Sequence, residues 1–307
     1  MLERPSIIVI SGPTCVGKTE VAMALAEPLG AEIISADAMQ VYRHMDIGTA
    51  KASPEQRARV RHHLIDVVNP DEPFSAAHFE TMAGARVQDL HQKGLPIFVV
   101  GGTGLYIKAL TRGLFPSKGQ DGDVRKGLRK EAETLGLEAL YRRLQQVDPA
   151  AAEGIHPNDT YRVIRALEVH EVTGQPISLH HGDHGFRDVR YRILAIGLTL
   201  DRNILYDRIN KRVDLMLGSG LLEEVRWLLD HGYPSTLKPM RSIGYRHMGD
   251  YLEGRVTWDE TLRLLKRDTR RYAKRQLTWF KADPDIHWLE PGQVDDMRKR
   301  IDSFLAG

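Results

Sequence analysis

The chain has 307 residues, 42% of them apolar and 27% charged. That length suits one large domain or two ordinary ones, and the balance excludes a disordered or collagen-like chain. The single cysteine, Cys15, rules out an internal disulfide and a cysteine-based zinc site, no apolar run is long enough to span a bilayer, and a net charge of +2 by itself selects no partner.

Residues 6–10 form an apolar run that reads as a short buried strand. It is too brief for the core of a secretory signal, so a reducing, cytoplasmic setting and no membrane are expected. Apolar residues at helical spacing (Val21, Leu25, Leu29) predict a helix over 19–29, stopped by Gly30. Residues 32–35 and 62–68 read as two further strands. A long helical pattern over 76–93 ends at Gly94, and 96–100 is another buried strand, broken by Gly101, Gly102, Thr103 and Gly104. Strands alternating with helices in this way predict a parallel sheet covered on both faces.

The pattern then changes. Residues 114–123 are rich in Gly, Pro and polar side chains and read as a linker, and from 124 to about 174 the signals are helical only. Residues 182–188 are loop-like, strand character returns over 192–200, and amphipathic helices are predicted over 203–217, 221–231 and 258–280. The expected fold is α/β, a P-loop NTPase-like parallel sheet covered by helices. Residues 1–115 and 190–307 would form this core with its C-terminal helices, and 116–189 a small all-helical insert.

Gly12, Pro13, Thr14, Cys15, Val16, Gly17, Lys18 and Thr19 match the phosphate-binding pattern G-x-x-x-x-G-K-[ST]. The match follows a predicted strand and opens a predicted helix, as the chemistry requires. Glycines let successive N–H groups converge on phosphate oxygens, and the helix start adds positive partial charge. Lys18 would neutralise a terminal phosphate and Thr19 would carry Mg²⁺. Cys15 reads as a small filler of the loop rather than a nucleophile. The loop accepts a diphosphate or a triphosphate and does not say what is attached to it.

Ligands of open parallel sheets bind beyond the carboxyl ends of the strands. Asp37 follows the second predicted strand and Thr103 the 96–100 strand, so both are expected to face the loop. Asp37 there is either a general base or magnesium-binding carboxylate, or a helix N-cap; Thr103 taken alone is a turn residue.

Four segments in order now carry a resemblance: 12–19; 34–42, with Asp37, Gln40 and Tyr42; 45–51, Met-Asp-Ile-Gly-Thr-Ala-Lys; and 100–106, Val-Gly-Gly-Thr-Gly-Leu-Tyr. Together with 156–168, 241–246 and 273–279 they resemble the tRNA dimethylallyltransferases, over nearly the whole chain. The lack of cysteines for a C-terminal zinc finger fits a bacterial form. One departure is Ala38, where the family has a serine.

The resemblance implies that N6 of the adenosine 3′ of the anticodon (position 37) attacks the first carbon of dimethylallyl diphosphate, and that diphosphate leaves. It implies Asp37 as base, Thr103 as orienting hydroxyl, and Arg125 and Arg212 as assisting cations; Arg208 and Arg212, four apart, share a helix face. The expected partners are the tRNA anticodon stem-loop and dimethylallyl diphosphate, with Mg²⁺ as cofactor and no obligate protein partner. Contacts to tRNA are expected from Asp37, Ala38, Met39 and Gln40; from Tyr161, Arg162, Val163, Ile164 and Arg165 of the insert; and from Arg241, Ser242, Ile243, Gly244, Tyr245 and Arg246, a turn suited to a sugar-phosphate contact or a stacking platform.

Residues 241–281 hold 11 Lys and Arg against 5 Asp and Glu. Within them Lys266, Arg270 and Lys274 form one row of a helix, and Arg267, Arg271 and Arg275 the next. This predicts six cations on one broad face, offset only by Asp268 and suited to phosphate. A metal site at His180, His181, Asp183 and His184 is disfavoured, because the cluster sits in a polar loop with no partner elsewhere. A P-loop kinase of a small metabolite, a nucleotide-gated RNA-binding protein and a prenyltransferase acting on free AMP remain open. A kinase would not need the aligned cations, and a binding switch would not need Asp37.

Overall fold

The computed structural model describes residues 4–114, 122–179 and 190–307. Its contacts divide the chain into two compact units, Met1–Thr111 with Val189–Gly307, and Arg112–Asp188. Among the described residues, no helix is long and apolar enough to cross a membrane.

The first unit is a six-stranded parallel sheet. In chain order its first half holds β1 (Ser6–Ser11), α1 (Lys18–Ala26), β2 (Glu32–Ser35), α2 (Pro54–Arg59), β3 (His62–His63), α3 (Ala76–Gln92), β4 (Ile97–Gly101) and α4 (Gly104–Arg112). After the second unit it resumes with β5 (Arg192–Leu198), α9 (Arg202–Gly218), α10 (Leu221–Asp230), α11 (Tyr245–Leu252), α12 (Trp258–Lys281), β6 (His287–Leu289) and α13 (Val294–Ala306). The strand order is β3-β2-β4-β1-β5-β6.

Side chains alternate across a strand, and the apolar runs use both faces. Ile7 and Val9 of β1 and Ile97 and Val99 of β4 join a core with Phe79, Val87, Val213 and Leu265. Ile8, Ile10, Phe98 and Val100 point the other way, onto Val21, Leu25, Ile209 and Ile301. A continuous apolar run therefore serves two cores, one on each side of the sheet.

The predicted strand over 62–68 is corrected to the two residues of β3. Leu64 and Asp66 have φ of 62° and 57°, left-handed values that end an extended strand. The chain turns back instead, and Val67 N–H donates to Val41 O at 2.7 Å. Asp66 is placed by this turn to take two cations, since its carboxylate accepts Lys51 Nζ at 2.6 Å and Arg57 Nη1 at 2.9 Å. The elements α2, α4, α11, β6 and α13 had no counterpart among the sequence-predicted elements. Helix α11 begins at Tyr245, so the segment 241–246 is only partly a turn.

The second unit holds α5 (Gly122–Leu135), α6 (Leu137–Val147), α7 (Pro149–Gly154) and α8 (Thr160–Thr173). Its own core joins Leu128, Leu140, Leu144, Ala152, Val163, Ile164 and Leu167. Buried Asp148 caps α7 through the Ala151 N–H and also accepts the Ser178 N–H, so one carboxylate satisfies two segments. The 114–123 linker lies largely outside the described residues, as do the loop 182–188 and His180, His181, Asp183 and His184.

Candidate phosphate site and its surroundings

Parallel pairing brings three strand exits to one edge of the sheet. Ser11 of β1 pairs in register with Gly101 of β4, and Ser35 of β2 with Val100. The segments that follow, 12–19, 36–40 and 102–104, are therefore neighbours although up to 90 residues separate them in sequence. Gly12 has φ 145°, and a Cβ there would come within 2.7 Å of Leu198 O; Gly17 has φ 106° as the N-cap of α1. Both positions require glycine, by close approach and by backbone sign respectively. Cys15 also lies at positive φ, 65°, in the curl of the loop.

Lys18 Nζ donates to Gly12 O at 3.1 Å and to Pro13 O at 2.8 Å, so the ammonium folds back over the loop. Burial lowers its pKa to about 8; the Asp37 carboxylate opposes that shift and Arg212 adds to it. A cation held against solvation next to another cation favours an anionic ligand. Arg208 and Arg212 both come from α9, and Arg208 Nη1 donates to Val16 O at 3.2 Å.

Asp37 is held by its own turn. Its Oδ1 accepts the Met39 N–H at 2.8 Å and the Gln40 N–H at 3.3 Å. Its Oδ2 takes no protein donor among the described residues. No helix follows here, so the helix N-cap reading of Asp37 is corrected to a turn: one oxygen closes the turn and the other is left for function. Thr103 Oγ1 accepts the Ala38 N–H at 3.0 Å, which ties the β4 exit to the β2 exit and leaves the hydroxyl proton free to donate. Gln40 accepts Ser35 Oγ–H at 2.9 Å, and its Nε2 reaches Thr49 O and Ala50 O at 3.3 Å.

A small pocket runs beneath these groups, lined by Lys18, Thr19, Ser35, Asp37, Gln40 and His62. Among the described residues no three His, Cys, Asp or Glu side chains gather into a cation cage. Hydroxyl and carboxylate oxygens beside a phosphate loop suit Mg²⁺, which keeps several waters and shares its shell with substrate phosphates.

Helix α12 closes this edge with residues that sequence reasoning did not assign. Gln276 Oε1 accepts the Thr14 N–H at 2.8 Å while Nε2 donates to Gly102 O at 2.9 Å. Three residues on, Trp279 lies where a Cβ on Gly104 would overlap its indole. One turn before Gln276, burial raises the Tyr272 pKa, with the Asp37 carboxylate adding to the effect. The spacing 272, 276, 279 (i, i+4, i+7) is the signal that could have found this stripe. The glycines of 101–104 make room for it and for the β2 exit, since a Cβ on Gly101 would overlap the Ala36 carbonyl. Gly101→Ala is expected to lower stability by about 1–3 kcal/mol, the usual cost of overpacking, read as a lower urea midpoint at unchanged slope.

A second unassigned residue, Glu224 of α10, anchors the 46–48 loop. Its carboxylate accepts the N–H groups of Asp46, Ile47 and Gly48 at 2.9, 2.7 and 3.1 Å, and the Tyr245 hydroxyl at 2.5 Å. Tyr245 is only 1% exposed and a Cβ on Gly48 would meet its ring at 2.5 Å. Tyr245 is therefore not a stacking platform, and that expectation is corrected: its ring is core. Of 241–246, Arg241 and Arg246 are the exposed side chains.

The six-cation face also divides. Lys266 Nζ pairs with Asp214 at 2.6 Å and Arg270 Nη1 donates to Asn210 at 2.9 Å, so this row is turned to α9; Lys274 beyond them is exposed. The other row stays outward. Arg267 Nε lies 2.8 Å from Asp268 and Arg271 3.8 Å, Arg246 joins the same carboxylate at 3.0 Å, and Arg275 is exposed. Three arginines around one aspartate leave a net positive patch.

In the second unit, Tyr161 is 69% exposed and Arg162 is exposed, whereas Val163 and Ile164 are buried. The expected tRNA contact through Val163 and Ile164 is corrected accordingly: both belong to the core of α5–α8. Arg125 of α5 donates through Nε and Nη2 to buried Glu168 at 3.0 and 2.6 Å, and Arg165 donates to the same oxygen at 2.9 Å.

Comparison with known proteins agrees with this geometry. A family model described as IPP transferase matches residues 40–283. The chain is 52% identical over 306 residues to tRNA dimethylallyltransferase 2 of Syntrophus aciditrophicus, covering 100% of this chain and 98% of that one. It is 54% identical over 305 residues to tRNA dimethylallyltransferase 2 of Geotalea uraniireducens, covering 99% and 98%. Among solved structures, the full-length tRNA isopentenylpyrophosphate transferase of Bacillus halodurans superposes with a TM-score of 0.74 at 41% identity, covering 99% of this chain and 97% of that one. A eukaryotic dimethylallyltransferase acting on tRNA gives 0.82 at 28% identity, covering 97% and 77%.

Proposed function

The chain belongs to the IPP transferase family, and from that premise we propose that it transfers the dimethylallyl group of dimethylallyl diphosphate to N6 of the adenosine 3′ of the anticodon in tRNA. The observation that carries this reading is the meeting of Asp37, its Oδ2 free, with Lys18 and Thr19 at one pocket. A nucleotide-gated binding protein would have no use for an open carboxylate oxygen beside the loop.

In the proposed reaction the adenine N6 attacks the first prenyl carbon, the carbon–oxygen bond breaks, and diphosphate departs with the electron pair. Asp37 Oδ2 takes the proton from N6, whose lone pair is otherwise delocalised into the ring. Thr103, already accepting from Ala38, donates its hydroxyl proton towards the bridging oxygen. The loop amides, Lys18 and Arg212 stabilise charge gathering on the leaving diphosphate. Thr19 is the group that would hold Mg²⁺, which when bound would supply further positive charge to the diphosphate. The methyl group of Ala38 offers no hydroxyl, so at that position only the backbone acts.

The patch of Arg246, Arg267 and Arg271 fits an RNA backbone, as do Arg241, Arg275, Tyr161 and Arg162. Extruding the target base costs a few kcal/mol, which a grip on the stem-loop offsets. Charge reversal at Arg267 and Arg271 together is expected to raise the KM for tRNA and leave that for the prenyl donor unchanged. It should also reduce the slope of log affinity against log salt by about two. Equal effects on both substrates would remove the RNA role of this face.

The decisive experiment incubates the chain with labelled dimethylallyl diphosphate, Mg²⁺ and unmodified tRNA, and scores label in RNA. Label in AMP but not in RNA, or phosphoryl transfer from ATP to a metabolite, would reject the proposal.

A further inference from the structure

Arginines repel one another and spread their long side chains over many rotamers, so a cluster of them is ordered only where something gathers it. On the outer face of α12 that group is Asp268. Its Oδ1 accepts the Arg267 Nε–H at 2.8 Å and lies 3.8 Å from Arg271 Nη1, and its Oδ2 accepts from Arg246 Nη2 at 3.0 Å. Arg246 comes from α11, so one carboxylate gathers guanidiniums from two helices. The Asp268 side chain is 15% exposed, against 48%, 35% and 63% for Arg246, Arg267 and Arg271. The anion therefore lies beneath and the cations outside it.

The carboxylate is itself anchored from below. His247 is 2% exposed, and its Nε2 lies 3.2 Å from Asp268 Oδ2. Its Nδ1 faces the Gly244 N–H at 3.4 Å and can only accept there, so the ring proton sits on Nε2 and is donated to Asp268. Burial, with Arg246 adding to the effect, lowers the His247 pKa and keeps the ring neutral near pH 7. A guanidinium has several N–H donors, and among the described residues Arg267 commits only its Nε and Arg246 only its Nη2. Most of the donors stay open to an outside anion.

Exposed ion pairs taken singly add little stability, so this arrangement matters for what it orders. We propose that Asp268 is a positioning residue: it fixes Arg246, Arg267 and Arg271 as one preformed clamp for the phosphates of a folded RNA, so that this face favours the fixed phosphate spacing of a stem-loop over a flexible polyanion. The inference rests on reading the face as a contact for tRNA. Ordering long side chains is part of the cost of binding, and a clamp ordered beforehand does not incur it again. The sign of the effect separates this role from bulk charge. Asp268 is an anion, so by Coulomb attraction alone its removal strengthens binding to every RNA. As the anchor of a clamp, its removal weakens binding to the folded one.

The test measures the affinity of the full chain for unmodified tRNA and for polyuridylate of matching length, at one fixed salt concentration. Wild type is compared with Asp268→Asn, which keeps the shape without the charge, and with Asp268→Ser, a smaller neutral residue that serves if the first variant does not fold. Thermal unfolding shows whether each variant is folded. Wild type is expected to bind tRNA more tightly than polyuridylate. The variants should bind tRNA about three- to tenfold more weakly, the scale of releasing one or two ordered side chains, and polyuridylate equally well or more tightly. The KM for tRNA should rise by the same factor, and that for the prenyl donor should not move. Tighter or unchanged tRNA binding in a folded variant overturns the proposal and leaves the RNA role of the face standing. Equal affinities in wild type, or equal weakening on both RNAs in the variants, overturn it too, since neither needs an ordered clamp. If wild type binds neither RNA, the RNA reading of this face falls, and the role of Asp268 with it.

Discussion

Asp37→Asn is expected to lower kcat for prenyl transfer by about 10²–10⁴, the usual contribution of a general base. The choice of asparagine is deliberate. Its amide oxygen can still accept the Met39 and Gln40 N–H groups that Asp37 Oδ1 accepts now. The turn is preserved while the second oxygen is replaced by a group that cannot take a proton. Pyrophosphate binding should stay within a few-fold of wild type, since the loop 12–19 keeps its shape. Asp37→Ala should lose the same activity and in addition about 1 kcal/mol of stability from the lost hydrogen bonds of the turn. Single-turnover transfer measured beside calorimetric binding separates the two effects. Turnover by the asparagine variant within threefold of wild type would show that another group takes the proton.

Lys18→Met is expected to cost about 10²–10³ in kcat, the scale for removing one preorganised charge-stabilising group. It should also weaken pyrophosphate binding, unlike the Asp37 variants. The pH dependence gives an independent readout. Without ligand, burial holds Lys18 at about 8. A bound diphosphate favours the charged ammonium, so its pKa is higher in the complex and binding takes up a proton. Affinity is therefore full below pH 8 and falls as pH rises through 8 towards the bound value. Measured without divalent cations, the ratio of wild-type to Lys18→Met affinity should decline across that range. A ratio independent of pH between 7 and 9.5 would mean that the ammonium does not meet the diphosphate.

Much of the fold was legible for a local reason. The runs Ser6–Ser11 and Ile97–Gly101 are apolar on nearly every residue because both faces of the sheet are covered, and such runs bounded by glycine read as buried strands. The loop 12–19 is a local motif whose glycines, lysine and threonine all act within eight residues. Elements with weak local signals were missed. α4 follows a glycine run that reads as a breaker, and α11 follows Gly244, whose φ is 95°. The strand predicted over 62–68 failed because two non-glycine residues adopt left-handed backbone there, held by the ion pairs of Asp66, and nothing local announces that.

The candidate site divides along the same line. Sequence alone determined that a phosphate loop opens a helix, that carboxylate and hydroxyl follow the second strand and the strand over 96–100, and that a basic segment lies near the C-terminus. Each depends on residues within a few positions of one another, where periodicity and motif chemistry act. Tertiary structure decided which oxygen of Asp37 is free, that Tyr245 and Val163 are core, and that Lys266 and Arg270 are already paired to α9. It also decided that Gln276 closes the Thr14 amide across 262 residues of chain. Composition and spacing are blind to such facts, because a side chain's partner is chosen by the packing of distant segments, and a buried hydrogen bond forms only once that packing has excluded water.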